Sequence, residues 1–172
     1  MNETAARPRS SLFSALRYAV NGITYAFNVE PNMKRHFWLF NTLALIELIL
    51  RPSLTVVAIS LFVAMCVFGA ELANTAVELT IDLTVDRKYH AAAGIAKDAM
   101  AGAVTMISFG ALLVAVWILV STRPWRFQLF SDVHPVATGL VIISVVTIWV
   151  LRFRPYREIQ LWTDRKEVQD EL

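Results

Sequence analysis

Apolar and polar positions alternate on two scales along this chain. Over the first thirty residues, Leu12, Leu16, Val20, Ile23 and Phe27 recur at helical spacing, while Ser14, Arg17, Asn21 and Asn28 fall mostly elsewhere on the wheel. That pattern predicts an amphipathic helix over about 10–29, lying in a membrane interface or packed on other protein. Ser10 or Ser11 is suited to cap it, a loose polar tail is expected before it, and Glu30-Pro31-Asn32 breaks it. Beyond the break the apolar positions become continuous. Met33–Leu50 opens with Lys34, Arg35 and His36, is flanked by Phe37 and Trp38, and ends at Arg51-Pro52. It predicts a first membrane span. Within it, Glu47 precedes Arg51 by four residues, the favourable order for a helical ion pair.

Leu54–Ala70 holds no charge and predicts a second span whose helix continues to about Leu83. A polar connection is expected from Thr84 to Gly94. Ala99–Val120 is a third span, long enough to cross the hydrocarbon and rich at its start in Ala99, Ala101, Gly102 and Ala103, small residues that let helices approach closely. After a loop with Arg123, Trp125, Arg126 and Phe127, Val136–Leu151 reads as a fourth span, followed by Arg152, Arg154 and a charged tail.

The most informative stretch is Glu71–Asp98, where the second span ends. Asn74, Glu78 and Asp82 follow Glu71 at offsets that keep all four side chains within an arc of about 80° on one helix face. One stripe of a helix leaving the membrane thus carries three carboxylates and an amide, which is costly unless something uses it.

Composition agrees with the pattern. Of 172 residues, 56% are hydrophobic and only 17% charged, with a mean hydropathy of +0.53. A soluble domain carries about 25% charge, so these values predict an all-α integral membrane protein. A net charge of +2 is too small to imply nucleic acid. Cys66 is the only cysteine, which rules out an intramolecular disulfide. No cleavable signal peptide is expected, because no apolar core precedes Arg17. With four spans, Arg51, Arg123 and Arg126 fall on one side and the other Lys and Arg together on the opposite side. By the positive-inside rule that opposite side, with the acidic stripe, is cytoplasmic.

Glu71 and Glu78 lie two turns apart, on the order of 10 Å along the axis. Mg²⁺ takes one or two carboxylates plus phosphates and waters, so one glutamate can hold a metal while another does acid–base work. Glu30 is placed to supply a second metal carboxylate, and Lys97 and His90 to contact phosphate. There is no GxxxxGK[ST] loop and no GxGxxG fingerprint. From the residues alone, three readings stay open: solvated charges at a helix end, acids for ion or proton transport, and a metal–phosphate site.

The run Glu71-Leu-Ala-Asn74-Thr75-Ala76-Val-Glu78-x-x-x-Asp82, then Tyr89-His90 and Ala96-Lys97-Asp98-x-x-Ala101-Gly102-Ala103-Val104, resembles the bacterial diacylglycerol kinase/undecaprenol kinase family of small membrane lipid kinases. The segment Asn21-Gly22-x-x-Tyr-Ala26-Phe27-x-x-Glu30-Pro-Asn32-Met-x-Arg35-His36 resembles that family's N-terminal region, so the likeness covers roughly 12–120. The resemblance implies Glu71 as the catalytic base and Glu30 and Glu78 as metal ligands for Mg²⁺. It further implies Tyr18, Lys88, Tyr89, His90, Lys97 and Asp98 as ATP contacts, with Asn74 and Asp82 as supporting polar positions. Also implied are a homotrimer with shared active sites, an inner-membrane location with the site facing the cytoplasm, and phosphorylation of a lipid alcohol. The Glu30-Pro-Asn-Met-Lys-Arg-His stretch looks more like the undecaprenol kinases, with diacylglycerol the alternative. A lipid-kinase domain over 1–120 and an extension over 121–172 are therefore expected. Two features depart from the family: the fourth span, and the lack of a basic residue early in the first helix. Ser11 or Ser14 stands there, with Arg7 or Arg9 nearby.

Overall fold

In a computed structural model, residues 12–86 and 88–155 are described. The expectations for the first tail, the Ser10 or Ser11 cap, Arg7, Arg9 and the charged C-terminal tail lie outside them. The described residues form helices α1 (Leu12–Val29), α2 (Pro31–Leu50), α3 (Leu54–Thr84), α4 (Ala91–Ser121) and α5 (Pro135–Phe153), with no strand among them.

Each break has a local cause. Glu30 is extended and Pro31 begins α2, because proline lacks an N–H and disfavours helical backbone in the residue before it. Arg51 ends α2 in the left-handed region at φ 48°, its N–H returning to the Glu47 carbonyl, and Pro52 bars continuation. Antiparallel packing of α2 on α3 follows from the short turn: His36 meets Glu71, Phe40 meets Phe68, and Ser60 meets Glu47.

α3, α4 and α5 are long and apolar enough to cross a membrane. α2 has 20 residues, about 30 Å at 1.5 Å per residue, but Lys34, Arg35, Asn41 and Glu47 make it more polar than the other three. α4 starts eight positions before the apolar run at Ala99, because Ala91-Ala92-Ala93 are strong helix formers. The connection shortens to 85–90, and Lys97 comes to lie on a helix opposite α3.

Phe27, from the last turns of α1, is buried between Phe37 and Phe68. At the other end of α1, Leu12 and Phe13 are exposed. α1 therefore packs on protein through its second half and leaves an apolar surface on its first.

α5 is built into the same core. Ile148 joins the cluster of Phe27, Phe37 and Phe68, and Val141 packs with Ala44 and Val57. Lipid tails are as apolar as these side chains, so polar contacts between helices carry much of the specificity here. The Trp149 indole N–H donates to Asn41 Oδ1 at 2.7 Å. The Arg51 guanidinium donates to the Thr138 hydroxyl and the Leu129 carbonyl, and the Gln128 N–H donates to the Ile49 carbonyl at 2.8 Å. The ion pair expected between Glu47 and Arg51 does not form. Arg51 sits in a left-handed turn that directs it to α5, and Glu47 accepts from Ser60 on α3 instead.

Candidate active site

Three of the four residues of the acidic stripe line a cavity, and Asp82 lies outside it. Glu71, Asn74 and Glu78 of α3 face Asn32 and His36 of α2 and Ala101, Val104, Thr105 and Ser108 of α4, around a space of about 510 Å³. Of the small residues at the start of α4, expected to let helices approach closely, Ala101 lines this space.

Glu71 is 1% exposed. Its Oε1 lies 3.1 Å from His36 Nε2, and no Lys or Arg pairs with it among the described residues. A buried carboxylate with a single histidine partner is held in place without being neutralised by a fixed cation. The Asn74 amide N–H donates to Glu78 Oε1 at 2.8 Å, while Asn74 Oδ1 is buried without a partner among the described residues. Thr75 donates to the Glu71 carbonyl at 2.9 Å.

Glu30, at the α1–α2 break, belongs to the same neighbourhood within a single chain. Its carboxyl is pushed above the ordinary 4.5 by burial first, then by the charges of Glu78 and Glu71, against smaller pulls from the Thr75 hydroxyl and Lys34. Like charges raise one another's pKa when they crowd a site, and a cation relieves them. No three or more His, Cys, Asp or Glu among the described residues enclose a metal alone. Two carboxylates fit Mg²⁺, which keeps waters and takes substrate phosphates for its other positions. Glu30 and Glu78 can supply those two.

The expected nucleotide contacts lie outside the cavity lining. One turn beyond Glu78, Asp82 forms an ion pair with Lys97, both partly exposed. Lys88 pairs with Asp86 at 3.1 Å on the surface. Tyr89 and Tyr18 are exposed, His90 precedes the first turn of α4, and Asp98 is exposed near the start of that helix.

No site role was expected from the sequence for four polar cavity residues, Asn32, His36, Thr105 and Ser108. His36 stands in the motif that carried the resemblance, but nothing in its spacing pairs it with a glutamate 35 positions away. Ser108 falls in the middle of an apolar run. Both also line a second, apolar slot of about 250 Å³ that descends between α2, α3 and α4 past Leu43, Ile46, Val63 and Ala115.

Helices able to cross a bilayer, packed round an acidic pocket between α2, α3 and α4, define a small multi-pass membrane protein with a polar site among its helices. The chain belongs to the prokaryotic diacylglycerol kinase family, whose model matches residues 17–119. It is 35% identical over 109 residues to a protein from Synechocystis sp. named diacylglycerol kinase. That match covers 63% of this chain and 62% of the relative, so the chain spans less than two thirds of that protein's length. No solved structure matches.

Proposed function

We propose that this protein transfers the γ-phosphoryl group of ATP to a lipid alcohol at the cytoplasmic boundary of the membrane. One observation carries the reading: the acidic cavity around Glu71 and the apolar slot meet, sharing His36, Ser108 and Leu112. A molecule with a hydroxyl head and a greasy chain fits that junction, the chain in the slot and the hydroxyl beside Glu71. Family membership and the name of the Synechocystis relative support the same chemistry.

In this mechanism the alcohol gives its proton to the Glu71 carboxylate as its oxygen attacks the γ-phosphorus. The bond to the bridging oxygen breaks, and ADP leaves with that electron pair. Catalysis of this kind is mostly positioning and charge neutralisation. Glu30 and Glu78 would hold Mg²⁺, which would offset the negative charge of the phosphates. Lys97 exchanges part of its pairing with Asp82 for phosphate oxygens. Tyr18, Lys88, Tyr89, His90 and Asp98 complete the nucleotide site outside the cavity.

The exposed apolar face of α4, with Met106, Phe109 and Leu113, fits assembly into a homotrimer of the kind the resemblance implies. The excess of Lys and Arg on the side of the acidic stripe supports a cytoplasmic orientation in a bacterial inner membrane. The stretch Glu30-Pro-Asn-Met-Lys-Arg-His favours undecaprenol as acceptor. The second reading, diacylglycerol, is favoured by the family's description and the relative's name. Purified protein given radiolabelled ATP, Mg²⁺ and the two lipids side by side tests both. Labelling of neither lipid would overturn the kinase reading, and the ratio of products selects the acceptor.

A further inference from the structure

Ser108 and Thr24 depart from a habit of this molecule, and of the two Ser108 is the one on a cavity wall. Thr75, Thr80, Thr84, Thr105 and Thr147 each donate a side-chain hydrogen bond to the carbonyl four residues earlier, the ordinary way for a helical hydroxyl to satisfy itself. Ser108 Oγ is buried and bonds to nothing among the described residues. An unpaired buried hydroxyl costs free energy in protein and more where lipid replaces water, so its retention asks for a ligand.

Its position says which ligand. Ser108 and His36 stand on opposite helices, α4 and α2, and both line the acidic cavity and the apolar slot. They are the two polar side chains at the neck between these spaces, and Leu112 is the third, apolar member. From His36 down to Ile46 the slot follows ten residues of α2, about 15 Å, or half of a hydrocarbon core of about 30 Å. An extended chain lying there puts its terminal hydroxyl at the neck.

We infer that the neck is the binding point for the acceptor hydroxyl. Ser108 Oγ–H donates to the alcohol oxygen, and His36 Nε2–H donates to Glu71 Oε1, holding the carboxylate against that oxygen. The inference rests on the lipid-kinase reading and deepens it. Ser108 touches substrate, whereas His36 is a positioning residue acting through Glu71. The reaction stays balanced as described: the alcohol proton passes to Glu71, and both donors keep their own protons. The Ser108 bond holds the bound alcohol in place, so its loss is read in the KM of the alcohol.

The test uses the full chain in lipid nanodiscs, with a polyprenol and a diacylglycerol as acceptors. kcat and the KM of each substrate are measured alongside the thermal unfolding midpoint. Ser108→Ala is expected to raise the KM of the alcohol about five- to tenfold, the loss of one neutral hydrogen bond, with the KM of ATP unchanged. His36→Leu is expected to lower kcat about 100-fold with both KM values near wild type. His36→Gln, whose amide N–H can still donate, is expected to recover most of that loss; packing damage alone would not be rescued by glutamine. Should His36→Leu lower the unfolding midpoint sharply, the comparison of His36→Gln with wild type carries the test. An unchanged alcohol KM in Ser108→Ala, or equal loss in the Leu and Gln variants, overturns the inference while leaving the kinase reading intact. A wild-type protein that phosphorylates neither lipid takes both down.

Discussion

Glu71 and Glu47 are 1% and 3% exposed, and each meets one polar side chain across the seam between α2 and α3. Glu71 is held by His36 of α2, and Glu47, itself on α2, by Ser60 of α3. Burial does not distinguish them; their neighbours do. Glu71 opens on a cavity of about 510 Å³ with Glu78 and Asn74 on its wall, and its charge reaches Glu30. Glu47 stands beside Ala44 and Leu48, which pack into an apolar cluster, and no second carboxylate bonds or pairs with it among the described residues. A buried acid becomes chemically useful when space, other charges and a route for substrate converge on it. Without them the same side chain ties two helices together.

The largest expected effect breaks the comparison directly. Glu71→Gln should lower the rate of lipid phosphorylation by about 10²- to 10⁴-fold, the usual worth of a general base, while the thermal midpoint stays near wild type. Glu47→Gln should leave the rate at the wild-type level. If the two outcomes were exchanged, the assignment of chemistry to one end of the seam would be wrong.

Next comes the dependence on Mg²⁺ and pH. Burial and the charges of Glu78 and Glu71 raise the Glu30 carboxyl above 4.5, so it takes up a proton where a free glutamate would still be ionised. A protonated carboxyl does not hold a metal. The Mg²⁺ concentration for half-maximal rate should therefore climb as pH falls towards that raised value, and added Mg²⁺ should push the acid limb of the rate profile down. Glu30→Gln should raise the Mg²⁺ requirement at neutral pH and flatten its pH dependence. Titrations at several pH values check both.

At the structural end the effects are smaller and appear in stability. Glu47→Ala removes the interhelical acceptor of Ser60, whose hydroxyl keeps the Val57 carbonyl at 2.9 Å, and should cost about 1 kcal/mol, the net worth of one hydrogen bond, read from unfolding in detergent. Arg51→Ala releases the Thr138 hydroxyl and the Leu129 carbonyl and should cost about 1 kcal/mol, with α5 loosening first by hydrogen exchange. Trp149→Phe keeps the ring but loses the bond to Asn41. It should cost about 0.6 kcal/mol, the mean for such bonds in membranes.

Much of the fold was legible from periodicity. α3 ends within a residue of its expected limit, and α5 extends one or two residues past each expected end of the fourth span. These segments read clearly because a helix in lipid must satisfy its own backbone, so a long apolar run has few alternatives. The start of α4 is not marked by the hydropathy change at Ala99, because helix propensity carries the helix back to Ala91. The expected bond from Glu47 to Arg51 failed for a related reason. Spacing describes neighbours within one helix, and both side chains found partners on another.

By itself the sequence determined the helices, the apolar lengths and the stripe of Glu71, Asn74, Glu78 and Asp82, because each depends on residues a few positions apart. Only the tertiary structure decided that Glu71 is held by His36, that Ser108 stands at a neck between an acidic cavity and an apolar slot, and that α5 is clamped into the core. Those facts depend on which faces of α2, α3, α4 and α5 meet. Such meetings are chosen by close packing and a few interhelical hydrogen bonds, and a one-dimensional pattern contains neither.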